Sequence, residues 1–353
     1  MHIVGGTFDE KGGKPSSVVA AMAKYLNADH LLNGGTLKDL NDYDLLKLLV
    51  RSPQVLIWMP NVSNDEEKIL PSIKTCNPKL LLISSKRVIE KDYKESDIVG
   101  RLLKTRSNLG IMIAKDESLY RFKLLDPLGN MWADTSSIES FCGALAKRVK
   151  ILQSITRVAS NQIGDWRSFS IDEDFIAAVR EFGEEFTKYV NAVNPNRFLG
   201  NAATRCAHGF PGVRDVDRIF VSRRNVSKTG FKESDFVEVM AIDNAVGYFG
   251  GHKPSVDTPI QLKLFEYYPD VRYMIHGHVY VKDTPYTISV LPCGSVEEFG
   301  EITSLYPKKE ANFTVNLSGH GFLALAENLD YLREIKGRLI ARPFPEEIGS
   351  VWS

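Results

Sequence analysis

The 353-residue chain has no net charge, with 44 lysines and arginines against 44 aspartates and glutamates. This balance removes the electrostatic argument for nucleic acid or an anionic membrane surface as a partner. Cysteine is scarce: Cys76, Cys142, Cys206 and Cys293 lie far apart and form no CxxC pair. A disulfide framework is therefore not expected, and free thiols in a reducing cytoplasm are. No apolar run approaches the ~20 residues of a membrane span. The opening Met1-His2-Ile3-Val4-Gly5-Gly6 lacks the basic stretch and long apolar core of a signal peptide. Internal repeats and low-complexity tracts are also missing. What remains is a hydrophobic share of 43%, enough for sizeable cores, and a length that points to two domains.

The first half alternates short apolar runs with helical stretches. His2-Ile3-Val4 reads as a buried strand, followed by the glycine-rich Gly5–Gly13 and a helix from Ser16 or Ser17. Strand, glycine loop and helix N-terminus is an arrangement that can cradle phosphate. It matches neither GxGxxG nor GxxxxGK[ST], so a tight turn without a ligand stands beside a possible nucleotide site. Val55–Met59, Lys79–Ser84 and Leu109–Ala114 read as strands buried on both faces, with helices at Asp65–Lys74 and Glu95–Thr105. Tyr120–Leu125 alternates like an edge strand. This β/α alternation predicts a doubly wound α/β domain, Rossmann-like or flavodoxin-like, over residues 1–150. Gly5–Gly13 and Pro60–Ser63 would be its rim loops, where such sheets bind ligands. A structural or oligomerising role is the alternative.

Helical spacing of Phe141, Leu145, Val149, Leu152, Ile155 and Val158 predicts one long helix over Ser140–Ile163. Its Lys147, Arg148, Lys150 and Arg157 read as a solvated basic face rather than an anion site. Residues 151–170 then serve as a helical linker to a second domain at 171–353. Ser170, with Glu173 three residues on, reads as a capping box opening the next helix.

In the second half, His276-Gly277-His278 stands out. Residues i and i+2 of a strand share a face, about 6–7 Å apart at Cα, so both imidazoles can reach one ion. His320, in Ser318-Gly319-His320-Gly321, is a possible third ligand. Three histidines and an open position suit zinc or another divalent transition metal.

Four segments place these histidines in a pattern. They are Leu199–Arg205, Ile219–Val226, Lys253–Gln261 running on through Tyr268-Pro269 to the His-Gly-His, and Gly319-His320-Gly321. Together, over about Ile171 to Leu332, they resemble the class II aldolase/adducin superfamily, nearest the L-ribulose-5-phosphate 4-epimerase and fuculose-phosphate aldolase group. The resemblance implies an α/β/α domain with a central, mainly antiparallel sheet. It implies Zn²⁺ or a similar ion on His276, His278 and His320, with Asp257 as fourth ligand, base or both. It also implies aldol or epimerase chemistry on a small sugar-phosphate-like substrate through a metal-stabilised enediolate. A sugar-phosphate dehydratase with the same metal set, or a non-catalytic adducin-like module, are the alternatives. From residues alone, Asp257 could equally be the N-cap before Thr258-Pro259.

By the same resemblance Asn201, Arg224, Asn225, Ser255 and Val256 fall where the family holds the substrate phosphate. The chain departs there. Arg223-Arg224 replaces the usual Pro-[Ser/Thr], Asn225 the glycine and Val256 a serine. Two guanidiniums could grip an anion bidentately, or face solvent, or pair with Asp215 or Asp217. Glu297 or Glu298 is the candidate second acid/base. Relatives commonly form rings with the active site between subunits, so a homo-oligomer is expected, a tetramer favoured.

Overall fold

The computed structural model describes residues 1–6, 16–33, 54–60, 66–88, 94–116, 119–189, 200–208, 216–308 and 310–348. They fall into two compact units, residues 1–154 with 344–353, and residues 155–343.

The first unit is built on an eight-stranded sheet. Its strands are β1 (His2–Gly6), β2 (His30–Asn33), β3 (Val55–Pro60), β4 (Leu81–Val88), β5 (Leu109–Asp116), β6 (Leu119–Leu125), β7 (Asn130–Thr135) and β18 (Glu346–Glu347), in the order β18-β7-β6-β5-β4-β3-β1-β2. From β2 to β5 every pairing is parallel, while β5-β6-β7 is an antiparallel meander. Among the described residues four helices cover it: α1 (Ser17–Tyr25), α2 (Glu66–Cys76), α3 (Glu95–Thr105) and α4 (Ile138–Ser154). α1 packs with α4, and α2 with α3. Val4, Leu56 and Trp58 bury against Leu70 and Ile73 of α2. Gly5 lies on the other face, where Val19 of α1 approaches so closely that a Cβ would sit 2.5 Å from it. Helices on both faces of a mainly parallel sheet make this the doubly wound architecture that the β/α alternation predicts.

Two expectations need correction here. β6 lies inside the sheet, because Asp126-Pro127-Leu128-Gly129 turns the chain back into β7. The Asp126 carboxylate fixes that turn by accepting from Leu128 N (2.9 Å), Asn130 N (3.2 Å), Asn130 Nδ2 (2.9 Å) and Trp132 Nε1 (3.1 Å). Arg148 is not on a solvated face. It is buried over the Trp132 ring, 3.7 Å from its centroid, with Asp126 at 3.6 Å. The expected glycine-loop ligand site lies mostly at residues 7–15, and the Pro60–Ser63 rim at 61–63, outside the described residues.

The long helix predicted over Ser140–Ile163 ends at Ser154, and β8 (Ala159–Gly164) follows it. Ile155 and Val158 continue the helical spacing by coincidence. The strand exists because it pairs with β12 (Ala245–Phe249), a partner distant in sequence. Within the 151–170 segment, the helix ends at Ser154 and residues 159–164 form an edge strand of the second sheet. The last strand, β18, pairs with β7 in the first. The next helix, α5 (Glu173–Tyr189), starts later than the Ser170 reading, with the Asp172 side chain accepting from Asp174 N (2.9 Å).

The second unit adds β9 (Asn201–His208), β10 (Val216–Ser222), β11 (Phe236–Ile242), β13 (Tyr273–Gly277), β14 (Tyr280–Val281), β15 (Phe313–Leu317), β16 (Gly321–Ala326) and β17 (Leu339–Ile340). Its main sheet runs β15-β16-β13-β9-β10-β11-β12-β8 and is antiparallel except at the β12–β8 edge. The helices are α6 (Thr258–Tyr267), α7 (Glu298–Leu305) and α8 (Leu329–Lys336). Alternation along the strands sorts the core into two layers. Ala202, Ile275, Phe322 and Ala324 face Phe175, Val179, Phe182 and Phe186 of α5 and Leu332 and Ile335 of α8. Ala203, Met274, Leu323 and Leu325 face Ile260, Leu264 and Phe265 of α6 and Ile302 of α7. Each fully buried large side chain contributes about 1.5–3 kcal/mol. This is the α/β/α layering with an antiparallel centre that the resemblance implies.

Candidate metal centre

β13 positions His276. In its register His276 lies opposite Asn201 of β9 and Leu323 of β16, so it projects to the α6 face, toward the start of that helix. Gly277 projects to the opposite face, where a Cβ would lie 2.4 Å from the Phe186 ring. The middle residue of His-Gly-His is therefore a glycine for packing reasons. Gly321, at φ +152°, opens β16 just after His320, and a Cβ there would lie 2.0 Å from Gly277 O. Tyr280 accepts from Gly319 N through its hydroxyl at 2.9 Å and holds the same turn.

These constraints gather three imidazoles. Ligand atoms of His276, His278 and His320 all lie within 4.8 Å of one another, and the ring centroids are 4.6–5.1 Å apart. His276 Nδ1 is 2.7 Å from Phe322 O. A carbonyl only accepts, so Nδ1 carries the proton and Nε2 is left with its lone pair. His320 Nδ1 is 3.2 Å from Glu298 Oε1. In both rings Nε2 is buried and has no hydrogen-bond partner. Backbone carbonyl and carboxylate behind the rings, with bare nitrogens in front, is the arrangement that orients metal-ligating histidines. The residues fit a divalent transition metal.

Electrostatics support this fit at two of the three rings. Burial, reinforced by His320, pushes the His276 pKa down to about 4, and burial with both neighbouring rings depresses His278 well below the usual imidazole value. Both rings are neutral, as ligation requires. Burial also disfavours a charged His320, but Cys293 and Glu298 outweigh it and hold that ring well above the ordinary value. Burial raises Glu298, against the pull of His320.

Asp257 occupies the N-cap position of α6, but its side chain makes no capping hydrogen bond. Instead Oδ2 accepts from Asn201 Nδ2 at 2.7 Å, and Oδ1 is buried without a partner. Gln261 Nε2 donates to Asn201 Oδ1 at 2.7 Å and locks that amide. Asp257 lies outside the three-histidine group, yet its charge reaches His276. Ser255 Oγ lies 3.4 Å from Asp257 Oδ2.

The remaining candidates are divided. Glu298 is buried behind His320, whereas Glu297 accepts from Thr156 N (2.9 Å) and Ser295 Oγ (2.5 Å). The structure thus gives the two neighbours different partners, and Glu298 is the one joined to the histidines. Arg223 pairs with Asp235 at 2.6 Å and approaches His252 Nε2 at 3.4 Å. Asp217 pairs with Arg205 instead, and Asp215 lies outside the described residues. Arg224, Asn225 and Val256 are exposed, with Asn225 left-handed at φ +58°. Arg224 N donates to Lys253 O, and Ser255 N to Ser222 O, so the 222–225 and 253–257 loops run side by side.

Sequence reasoning missed Lys228, Gln261, Cys293 and Arg342. Lys228 is buried, with Nζ donating to Val226 O at 2.9 Å, and burial pulls its pKa down to about 8 against Asp235 and Asp257. Nothing in Ser227-Lys228-Thr229 signals this. A lysine whose folded pKa lies below its unfolded value binds fewer protons folded than unfolded, so its contribution to stability rises as pH climbs from 8 toward 10.5. Lys228→Met should flatten that part of the stability–pH curve and add on the order of 1 kcal/mol at pH 7. Urea unfolding at pH 7, 8, 9 and 10 checks it, and parallel curves for the two proteins would contradict it.

Residues 197–281 match the family described as Class II Aldolase and Adducin N-terminal domain. No curated protein matches the chain significantly. Solved structures that it resembles include L-fuculose 1-phosphate aldolase, at 18% identity over 48% of this chain and 82% of that one, with a TM-score of 0.34. Another is the N-terminal class II aldolase domain of a conserved protein from Thermoplasma acidophilum, at 15% identity over 49% and 95%, TM-score 0.32. A third is the DNA/pantothenate metabolism flavoprotein from Streptococcus pneumoniae, at 14% identity over 43% and 98%, TM-score 0.33. Residues 197–281 are thus similar in sequence to the class II aldolase/adducin family.

Proposed function

We propose that the second unit is a divalent-metal enzyme, zinc-dependent by preference, that makes or breaks a carbon–carbon bond of a sugar-phosphate-like substrate, as an aldolase or a 4-epimerase. The observation that carries this reading is the trio of clustered imidazoles, two of them with buried Nε2 atoms lacking any partner. Three imidazole nitrogens suit Zn²⁺ and leave a coordination position for substrate, with His320 giving up its proton as the ion binds. The bound ion would supply Lewis acidity toward a carbonyl oxygen and its neighbouring hydroxyl, favouring an enediolate.

The chain's own residues would do the rest. Phe322 O and Glu298 fix two rings. Asn201 and Gln261 hold Asp257 with its Oδ1 unpaired, in a position to accept or return a proton. A non-catalytic adducin-like module has no use for two buried, unsatisfied imidazole nitrogens. The test is an aldol-cleavage and epimerisation screen on pentulose and fuculose phosphates. Turnover should disappear with a chelator and return with Zn²⁺ or Co²⁺. A protein that never turns over any of them, with or without metal, would sink the enzymatic reading.

A further inference from the structure

The tail of the second unit is laced onto the segment that follows His-Gly-His. β17 pairs antiparallel with β14, Tyr280 opposite Ile340 and Val281 opposite Leu339. Lys282 N donates to Arg338 O at 2.9 Å, and Arg338 Nη2 donates to Lys282 O at 2.7 Å and Asp283 O at 3.1 Å. The pairing ends at Tyr280–Ile340, and Arg342 follows two residues after Ile340. Its side chain is anchored: Arg342 Nη1 donates to Gly319 O at 2.7 Å, the carbonyl just before His320.

The guanidinium is thus tied to the turn that carries His320. Arg342 and His278 are both partly exposed residues, whereas His276 and His320 are buried. The Arg342 charge is among those that depress His278. Placing a cation next to a site for a doubly charged ion works against metal binding. That cost is offset if the ligand that completes the site is an anion.

Resting on the metal-enzyme reading above, we propose that Arg342 is a specificity-determining residue, which receives an anionic group, phosphate or carboxylate, of a substrate bound at the histidine cluster. The chain's own tail supplies it. A guanidinium's planar fork matches both anions, and its fixation on Gly319 O orients it in advance.

The test uses the full chain loaded with Co²⁺, read by its visible spectrum, and three hydroxamates that differ in the tail: acetohydroxamate, malonohydroxamate and phosphoglycolohydroxamate. The unsubstituted protein should prefer at least one anionic tail over acetohydroxamate by about tenfold or more, equivalent to about 1.4 kcal/mol. Whichever anion is preferred identifies the group. Arg342→Gln should erase that preference while keeping the cobalt spectrum and affinity for acetohydroxamate, and Arg342→Lys should retain part of it. A merely structural role would weaken all three hydroxamates together, and that result overturns the proposal. So does a preference that survives in Arg342→Gln, or no preference in the unsubstituted protein. An absent cobalt spectrum would overturn the metal reading and this inference together, so the two failures are distinguishable.

Discussion

Purified chain should retain about one metal ion per molecule, and His276→Ala or His320→Ala should lose it. The reason is geometric. Ligand atoms of the three histidines already converge within 4.8 Å, so each substitution removes a third of a donor set that the fold has assembled. Loss of a partner behind a ligand typically weakens metal binding by about 10–100-fold. Glu298→Gln, which alters the group behind His320, should fall in that range, and loss of a ligand itself should exceed it. Metal content after gel filtration measures the first effect. The second readout is thermal: zinc at 100 times its Kd stabilises by about 2.7 kcal/mol, a shift that both alanine variants should lose. A native protein that purifies without metal and does not respond to added zinc would contradict the site. Asp257→Asn separates two roles. With Asp257 outside the histidine group, the variant should keep its metal and lose about 10²–10⁴ in turnover as a general base is removed. Metal loss in that variant would instead make Asp257 a ligand.

Much of this centre was legible in the sequence because short-range rules govern it. His276 and His278 are two residues apart on a chain that reads as one strand; β13 ends at Gly277, and the bend that follows brings His278 to the cluster. His320 stood in the sequence only as a possible third ligand, and its place beside Asp257 was legible only through the resemblance, since no local rule links residues so far apart. What escaped was set by tertiary contact. Glu297 and Glu298 are adjacent and chemically identical, yet one accepts from Thr156 N and the other sits behind His320. Which one points inward depends on how α7 packs. Lys228 looks like a surface lysine until α5 closes over it at Gly183, where a Cβ would lie 2.6 Å from Lys228 Cβ. Arg342 has no signal at all, because the β14–β17 pairing that delivers it is only two residues long on each strand. The same physics explains the fold errors. β8 exists through non-local pairing with β12, and the helical spacing in the sequence carried no information about that partner.

Gly321→Ala should cost more stability than any other single methyl added in this unit, about 3 kcal/mol or more. Two terms add. At φ +152° the backbone occupies a region that L side chains rarely adopt, and holding a side chain there costs about 1–3 kcal/mol. The new Cβ would also lie 2.0 Å from Gly277 O and 2.8 Å from His278 Cα. Both are main-chain atoms of the neighbouring strand end, so no rotamer change relieves the clash, and overpacking of this kind costs about 1–3 kcal/mol. Relief requires β16 and the end of β13 to separate, which also pulls His320 away from His276 and His278. The variant should therefore lose its zinc-dependent thermal shift along with its stability. Gly300→Ala in α7 is the control, since a Cβ there meets nothing within 4 Å. A helical glycine replaced by alanine should gain about 0.4–1 kcal/mol. Urea midpoints for the two variants should therefore move in opposite directions. Equal midpoints would show that the two strand ends are not held together as tightly as the three-histidine geometry requires.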